Sequence, residues 1–360
     1  MHRIVAEDLK SIALGIQRES GKLQGKTLLI SGGSGFLGSY LIGTIQFLNK
    51  NVLPKPCRVL SLDNFITGSR KSMTGVETDK NIKRIEADIR DPLNVDEPID
   101  FVIHAAGLAS PVYYQKFPLE TIEATVTGAK NLLELARQTK NLKSFLFFSS
   151  SEIYGDPHPN FIPMPETYNG NVSCTGPRAC YDESKRLTET ICMIYHKIYN
   201  IPVKIVRPFN IYGPGMKTND HRVIPSFITK GLASTPIEVY NRGNQTRTFC
   251  YITDAVIGFF KVLLSKKSGE TYNVGVGKDS EEISMFALAN IIAELSPRRV
   301  AVKSVEYPET YPAGEPNRRR PDITKISKAL DYHPVIDLKT GLLRTMTWFR
   351  DTLPPHSASV

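Results

Sequence analysis

Gly32-x-x-Gly35-x-x-Gly38, set directly behind the apolar run Thr27–Ser31, constrains this chain more than any other feature. A β-rich run enters a glycine-dense turn, and a helical pattern leaves it from Phe36 through Phe47. In a strand–turn–helix unit of this kind, backbone N–H groups converge at the helix N-terminus, where aligned peptide dipoles favour a pyrophosphate. Glycine is required because a Cβ would obstruct the turn, the ligand or the helix–strand packing. The motif predicts a dinucleotide site, against the plain alternative of an ordinary βα turn.

The surrounding pattern supports that context. Further β-type runs fall near 58–62, 82–87, 101–105, 145–149 and 203–207, and helical patterns lie near 36–49, 118–139 and 182–199. Alternation of this kind predicts an α/β chain with a doubly wound parallel sheet, a Rossmann fold, and ligands outside the carboxyl ends of the strands. The expected organisation is a helical extension over 1–24 and a dinucleotide-binding domain over 25–208, with 251–276 returning to it. A smaller, mixed C-terminal substrate lobe is expected over 209–250 and 277–350. Ile4, Leu9, Ile12 and Ile16 recur at helical spacing, so the extension reads as an amphipathic helix packed on the body or on a partner subunit. The segment between Gly155 and Pro177 is rich in Pro, Asn and Gly and reads as a loop with few regular backbone bonds.

Composition narrows the function. The 360 residues are 41% hydrophobic, enough for a large core, yet no apolar run reaches the ~18–20 residues that span a bilayer. Residues 1–24 carry Glu7, Asp8 and Glu19 and no apolar stretch of signal-peptide type. Five cysteines, at 57, 174, 180, 192 and 250, form no C-x-x-C and no metal-ligand spacing, so reduced cytoplasmic thiols and no metal site are expected. The net charge of +9 is scattered, with one dense run at Arg318–Arg320. That distribution suits a small phosphate-bearing substrate better than nucleic acid or a membrane.

Four groups of residues carry chemistry. Asp63 ends the second strand, where a carboxylate accepts hydrogen bonds from a ribose diol and repels a 2′-phosphate, favouring NAD over NADP. Asp88-Ile89 follows the third strand, where a carboxylate and an apolar neighbour can flank adenine. Tyr181 and Lys185 form Y-x-x-x-K, one helical turn apart on one face. An ammonium near a phenol, beside a positive nicotinamide, is expected to lower the phenol from its usual pKa of about 10 toward that of a general base. Ser149-Ser150-Ser151-Glu152 leaves the fifth strand: its hydroxyls can bond a sugar hydroxyl, and Glu152 can act as an acid–base group or shape the pocket.

Longer stretches make the resemblance specific. They include Asp63-Asn64-Phe65 with Thr67-Gly68, His104-Ala105-Ala106, Leu108-Ala109-Ser110-Pro111 and Tyr114-Gln115-Lys116. They continue with Ser151–Pro157, Gly176–Glu183, Arg207–Pro214, Gln245–Phe249 and Arg318–Ile323. From about 26 to 345 the chain resembles the extended short-chain dehydrogenases/reductases that act on nucleotide sugars, and within them the UDP-glucuronate decarboxylases, or UDP-xylose synthases. The resemblance implies NAD held by Gly32, Gly35, Phe36, Leu37, Gly38, Asp63, Asn64, Thr67, Gly68, Asp88, Ile89 and Leu108, with Tyr181 and Lys185. It implies catalysis by Ser150, Ser151, Glu152, Tyr181, Lys185 and Arg319 on UDP-glucuronate, with substrate contacts from Tyr114, Arg178, Asn210, Arg222 and Arg247. It also implies a homodimer formed through the helices near 118–139 and 182–199. Ser150 stands where a threonine is usual, Thr125 where an asparagine is common, and Tyr240-Asn241-Arg242-Gly243 departs from the usual Tyr-Gly-Asp/Ser-Gly. These departures bear on the sugar and the base. A nucleotide-sugar 4-epimerase or 4,6-dehydratase uses the same scaffold, and a non-catalytic nucleotide-binding protein is the reading of another class.

Overall fold

The computed structural model describes residues 1–353 apart from 72, 219, 221, 278–279, 281 and 308–314. Seven strands form the central sheet: β1 (Thr27–Ser31), β2 (Arg58–Asp63), β3 (Ile82–Glu86), β4 (Phe101–His104), β5 (Ser144–Phe148), β6 (Val203–Pro208) and β7 (Glu270–Val274). All neighbours are parallel, in the order β7-β6-β5-β4-β1-β2-β3. The order reverses between β1 and β4, so the crevice for a ligand opens beyond their carboxyl ends.

The helices that matter below are α1 (Arg3–Gly15), α2 (Phe36–Asn51), α3 (Pro118–Gln138), α4 (Ala179–Tyr199), α5 (Ile252–Leu263) and α6 (Leu338–Thr352). Alternation along β1 feeds two cores. Leu28 and Ile30 join Leu9, Ile42, Ile45, Phe259 and Phe260 on one face, while Leu29 joins Leu60, Leu132, Leu133 and Phe145 on the other. β7 pairs with β6 from Glu270↔Lys204 to Val274↔Pro208, so the chain does return to the main sheet. Beyond the sheet, Thr246–Arg247 is flanked by Ile283–Ser284 and Arg318–Arg319, and Ile237–Tyr240 pairs with Val302–Val305.

Two expectations change. α4 begins at Ala179, behind its N-cap Arg178, so Tyr181 lies in its first turn. The segment after Gly155 is better tied than its composition suggests. Asn171 N–H donates to the Tyr154 carbonyl at 2.9 Å, and the Met164 amide exchanges bonds with Arg320 and Asp322, both at 2.9 Å. These bonds come from distant segments, which local composition does not report.

α1 packs on the body. Val5, Leu9 and Ile12 are fully buried against α2 and α5. At its centre Asp8, 1% exposed, accepts from Tyr40 Oη at 3.0 Å, Tyr251 Oη at 3.0 Å and Arg344 Nη2 at 2.8 Å. One carboxylate thus joins α1, α2, the start of α5 and α6. Replacing Asp8 by Ala is expected to cost about 2–4 kcal/mol, because a cation and two hydroxyls lose their shared acceptor. Urea unfolding followed by circular dichroism measures this, and an unchanged midpoint with an unchanged slope would contradict it.

Candidate active site

The glycine turn is built for close approach. Gly32 has φ +76°, and a Cβ there would lie 2.8 Å from Ala106 Cα. At Gly38 a Cβ would collide with the Gly32 carbonyl and lie 2.7 Å from Gly33 Cα. Gly35 caps α2 with extended backbone and no side-chain bond, leaving the helix N-terminus to an anion. Asp63 accepts from the Ser34 N–H at 2.9 Å and the Phe65 N–H at 2.8 Å, fastening the end of β2 to the turn. A Cβ at Gly68 would lie 2.8 Å from Asp63 Oδ1.

Gly32, Gly35, Asp63, Asn64, Thr67, Ile89 and Leu108 line one cleft over this turn. Gly38 and Gly68 shape the cleft without lining it. Asp88 is also absent from the wall, whereas its neighbours Ile89 and Arg90 line it. The Arg90 fork folds back onto Asp88 at 2.9 and 3.0 Å, and Asn64 donates at 3.2 Å. These bonds, the Arg90 contact first, hold the Asp88 carboxyl down at about 2. The cradle fits a dinucleotide: the space at Gly32 and Gly38 exists only without side chains, and the acid at the end of β2 suits an unphosphorylated ribose.

A second, larger cleft shares Ala105 and Gly107 with the first. Phe36, Leu37, Tyr114, Ser150, Ser151, Glu152, Arg178, Tyr181, Lys185, Asn210, Arg222, Arg247 and Arg319 all line it. Ser150, two residues beyond β5, is in extended backbone and caps the short 3-10 turn Ser151–Tyr154, its Oγ accepting from the Glu152 N–H at 3.2 Å. Tyr181 and Lys185 come from the first turns of α4 and are both buried. Lys185 Nζ donates to the Phe148 carbonyl at 2.8 Å and lies 5.8 Å from the Tyr181 ring centre. Burial lowers Lys185 to about 8.

Burial also pushes the Tyr181 phenol up to about 12, despite its hydrogen bond with Ser150. Among the protein's own groups the shift thus runs opposite to the one expected for Y-x-x-x-K beside a nicotinamide. The reason is that desolvation penalises the phenolate more than the neighbouring side chains stabilise it. The nicotinamide charge, which that expectation included, is what the protein's own groups do not supply. Tyr114 stacks on Tyr181 with ring centres 5.5 Å apart and a 20° tilt; its own hydroxyl is buried without a partner.

Glu152 is the electrostatic centre. Its Oε2 meets Arg178 Nη2 at 2.5 Å and Arg319 Nη2 at 2.7 Å. Burial opposes ionisation, but the guanidiniums of Arg178, Arg319 and Arg247 outweigh it and hold the carboxyl below its usual range. Arg319 stands there because Arg318–Arg319 pairs with Thr246–Arg247 in the register Arg319↔Arg247. Arg247 turns its guanidinium to the carbonyls of Thr246, Pro316 and Asn317, and burial, then Arg319, lower it to about 10. Asn210, at φ +45°, donates to the Thr248 carbonyl at 2.8 Å and accepts from Arg319 Nη1 at 3.4 Å. Arg222 pairs with Asp220 at 2.5 Å.

Two groups escaped sequence reasoning. Arg90 lines the dinucleotide cleft, and Asp182 is buried beside Arg178. Asp182 did leave a signal: it lies inside Y-x-x-x-K and four residues after Arg178, the spacing of a helical ion pair.

Residues 28–275 match the model of the family described as "NAD dependent epimerase/dehydratase family". The chain is 36% identical over 329 residues to UDP-glucuronic acid decarboxylase 5 of Arabidopsis thaliana, covering 91% of each protein. Its structure is similar to that of DesIV, a dTDP-glucose 4,6-dehydratase from Streptomyces venezuelae with NAD and TYD bound, at TM-score 0.79 and 26% identity. That match covers 91% of this chain and 97% of the other. A UDP-glucuronic acid 4-epimerase from Bacillus cereus, in complex with UDP-glucuronic acid and NAD, matches at TM-score 0.75 and 27% identity, covering 91% and 100%.

The Gly32→Ala variant is expected to weaken NAD binding at least roughly tenfold, since about 1.4 kcal/mol of strain suffices for that. Calorimetric titration with NAD, on protein shown folded by circular dichroism, provides the check. An unchanged affinity would remove the cradle from its role.

Proposed function

The chain belongs to the NAD dependent epimerase/dehydratase family, and on that premise we propose that it decarboxylates UDP-glucuronate to UDP-xylose or the corresponding 4-keto-pentose. The observation that carries this reading is the convergence of Arg178 and Arg319 on one carboxylate in the cleft that holds Tyr181. Paired guanidinium forks suit a sugar carboxylate, which a neutral hexose lacks. The decarboxylase relatives support the same reaction.

When bound, NAD⁺ supplies the hydride acceptor for the sugar C4. Tyr181 takes the proton from the sugar O4, and Ser150 hydrogen-bonds that oxygen. Lys185, a turn further along α4, supplies positive charge behind the phenol. A ketone at C4 lies β to the C6 carboxylate, so CO₂ leaves with its electron pair delocalised into an enolate; a uronate without that ketone has no such sink. Glu152 and Arg319 orient the ring and, through water, assist protonation at C5. Asn210 and Arg247 hold the diphosphate or sugar, with Tyr114, Arg178 and Arg222 as further contacts. A cycle that restores C4 needs no external reductant, and tight retention of NAD follows from that reading.

The homodimer belongs to the same proposal. Leu187, Ile194 and Ile198 on α4 are exposed at helical spacing, as are Leu119 and Ile122 on α3. An apolar stripe across two packed helices suits a two-fold four-helix contact. Five unpaired thiols support the proposed cytoplasmic setting. Among the described residues no helix is long and apolar enough to cross a membrane.

Incubation with UDP-glucuronate and NAD⁺ is expected to release CO₂ with UDP-xylose or a 4-keto-pentose, identified by mass spectrometry. UDP-galacturonate, with all six sugar carbons retained, would instead make the protein a 4-epimerase. Tyr181→Phe is expected to lower the rate by about 10²–10⁴-fold, the range for loss of a positioned acid–base group. Arg319→Ala should abolish CO₂ release while NAD stays bound; full activity there would remove the role given to Arg319.

A further inference from the structure

Asp182 is a buried acid that the reaction described above leaves unused. It follows Tyr181 in the first turn of α4 and is 6% exposed. Its Oδ2 stands 3.8 Å from Arg178 Nε, beyond hydrogen-bond reach. Its Oδ1 has no hydrogen-bond partner, and neither has that Nε. Glu152, by contrast, takes direct bonds from both Arg178 and Arg319. Two carboxylates therefore share two guanidiniums, but unequally.

The charged and titratable groups facing Asp182 are Glu152 from the turn after β5, Arg319 from the strand at 318–319, and Arg178 and Glu183 from either side of it in the chain. The phenols of Tyr114 and Tyr181 and the thiol of Cys180 complete the surroundings. With both acids ionised, this group of two carboxylates and two guanidiniums is neutral. A substrate carboxylate engaging Arg178 or Arg319 adds a further negative charge beside side chains that are themselves largely buried. A proton on one acid restores the balance. Glu152 is held ionised by two hydrogen-bonded ion pairs, so the proton goes to Asp182, whose one ion pair is longer, at 3.8 Å, and not hydrogen-bonded.

We propose that Asp182 binds one proton from solvent as the nucleotide uronate enters, compensating the carboxylate that the arginines receive. This rests on the decarboxylase reading and deepens it. The net reaction consumes one proton: the carboxylate leaves as CO₂, and the electron pair left at C5 takes H⁺. The proton bound on entry accounts for it, and Asp182 is ionised again once neutral CO₂ has gone. Burial, followed by the charge of Glu152, pushes Asp182 up to about 7, which places the exchange near neutrality.

Calorimetric titration of the NAD-loaded Tyr181→Phe protein, whose slowed turnover separates binding from reaction, tests this. UDP-glucuronate is titrated at pH 8 in phosphate and in Tris, and the dependence of the heat on buffer ionisation enthalpy counts protons. Uptake of close to one proton is expected at pH 8, falling toward none at pH 6, where Asp182 is already protonated. UDP-glucose, with the same diphosphate and no carboxylate, should cause none. Adding Asp182→Asn should abolish the uptake, and Asp182→Glu should retain it. Binding without uptake, uptake unchanged by Asp182→Asn, or equal uptake with UDP-glucose overturns the proposal and leaves the decarboxylase reading standing. No binding of UDP-glucuronate overturns both.

Discussion

The carboxylate of Glu152 is the point to which three distant segments are tied. It comes from the turn after β5, Arg178 from the start of α4, and Arg319 from a short strand after the chain has crossed the smaller sheets. None of the three charges is comfortable alone, since all three side chains are largely buried: breaking a buried ion pair costs about 3–5 kcal/mol, because it strands the remaining charge. Together they form one hydrogen-bonded cluster in the wall of the cleft.

The cleft's chemistry follows from the same burial. Desolvation drives Tyr181 up and Lys185 down, so in the protein alone the phenol stays neutral while the ammonium, at about 8, still carries its charge at neutral pH. A cation placed against Tyr181 reverses the balance for the phenol. The dinucleotide cradle opens into the same cleft through Ala105 and Gly107, which is where such a charge belongs. Arg178, Arg247 and Arg319 line the same cleft, and the proposed reaction assigns them the anionic sugar.

Much of this was legible in the sequence. The glycine turn, the strands and the helices announce themselves through local period and through glycines that no other residue can replace, at Gly32 and Gly38 above all. Tyr181 and Lys185 were visible because helical spacing is also local. What remained hidden depends on pairing between remote segments. The register Arg319↔Arg247 sets two guanidiniums side by side across a gap of many residues, and nothing near either position encodes it. The fastening of α1 through Asp8 to Tyr40, Tyr251 and Arg344 is of the same kind. The upward shift of Tyr181 in the protein alone was hidden too, because a motif reports neighbours, whereas desolvation depends on everything packed around them.

The account makes the sugar carboxylate, lost from a ring whose C4 hydrogen is restored, the centre of the chemistry. Turnover of UDP-glucuronate in D₂O without added reductant, followed by NMR of the sugar product, tests this most directly. The account predicts a pentose with deuterium at C5 and its original hydrogen at C4, formed one-to-one with CO₂. A six-carbon uronate inverted at C4 with no deuterium at C5 would contradict it.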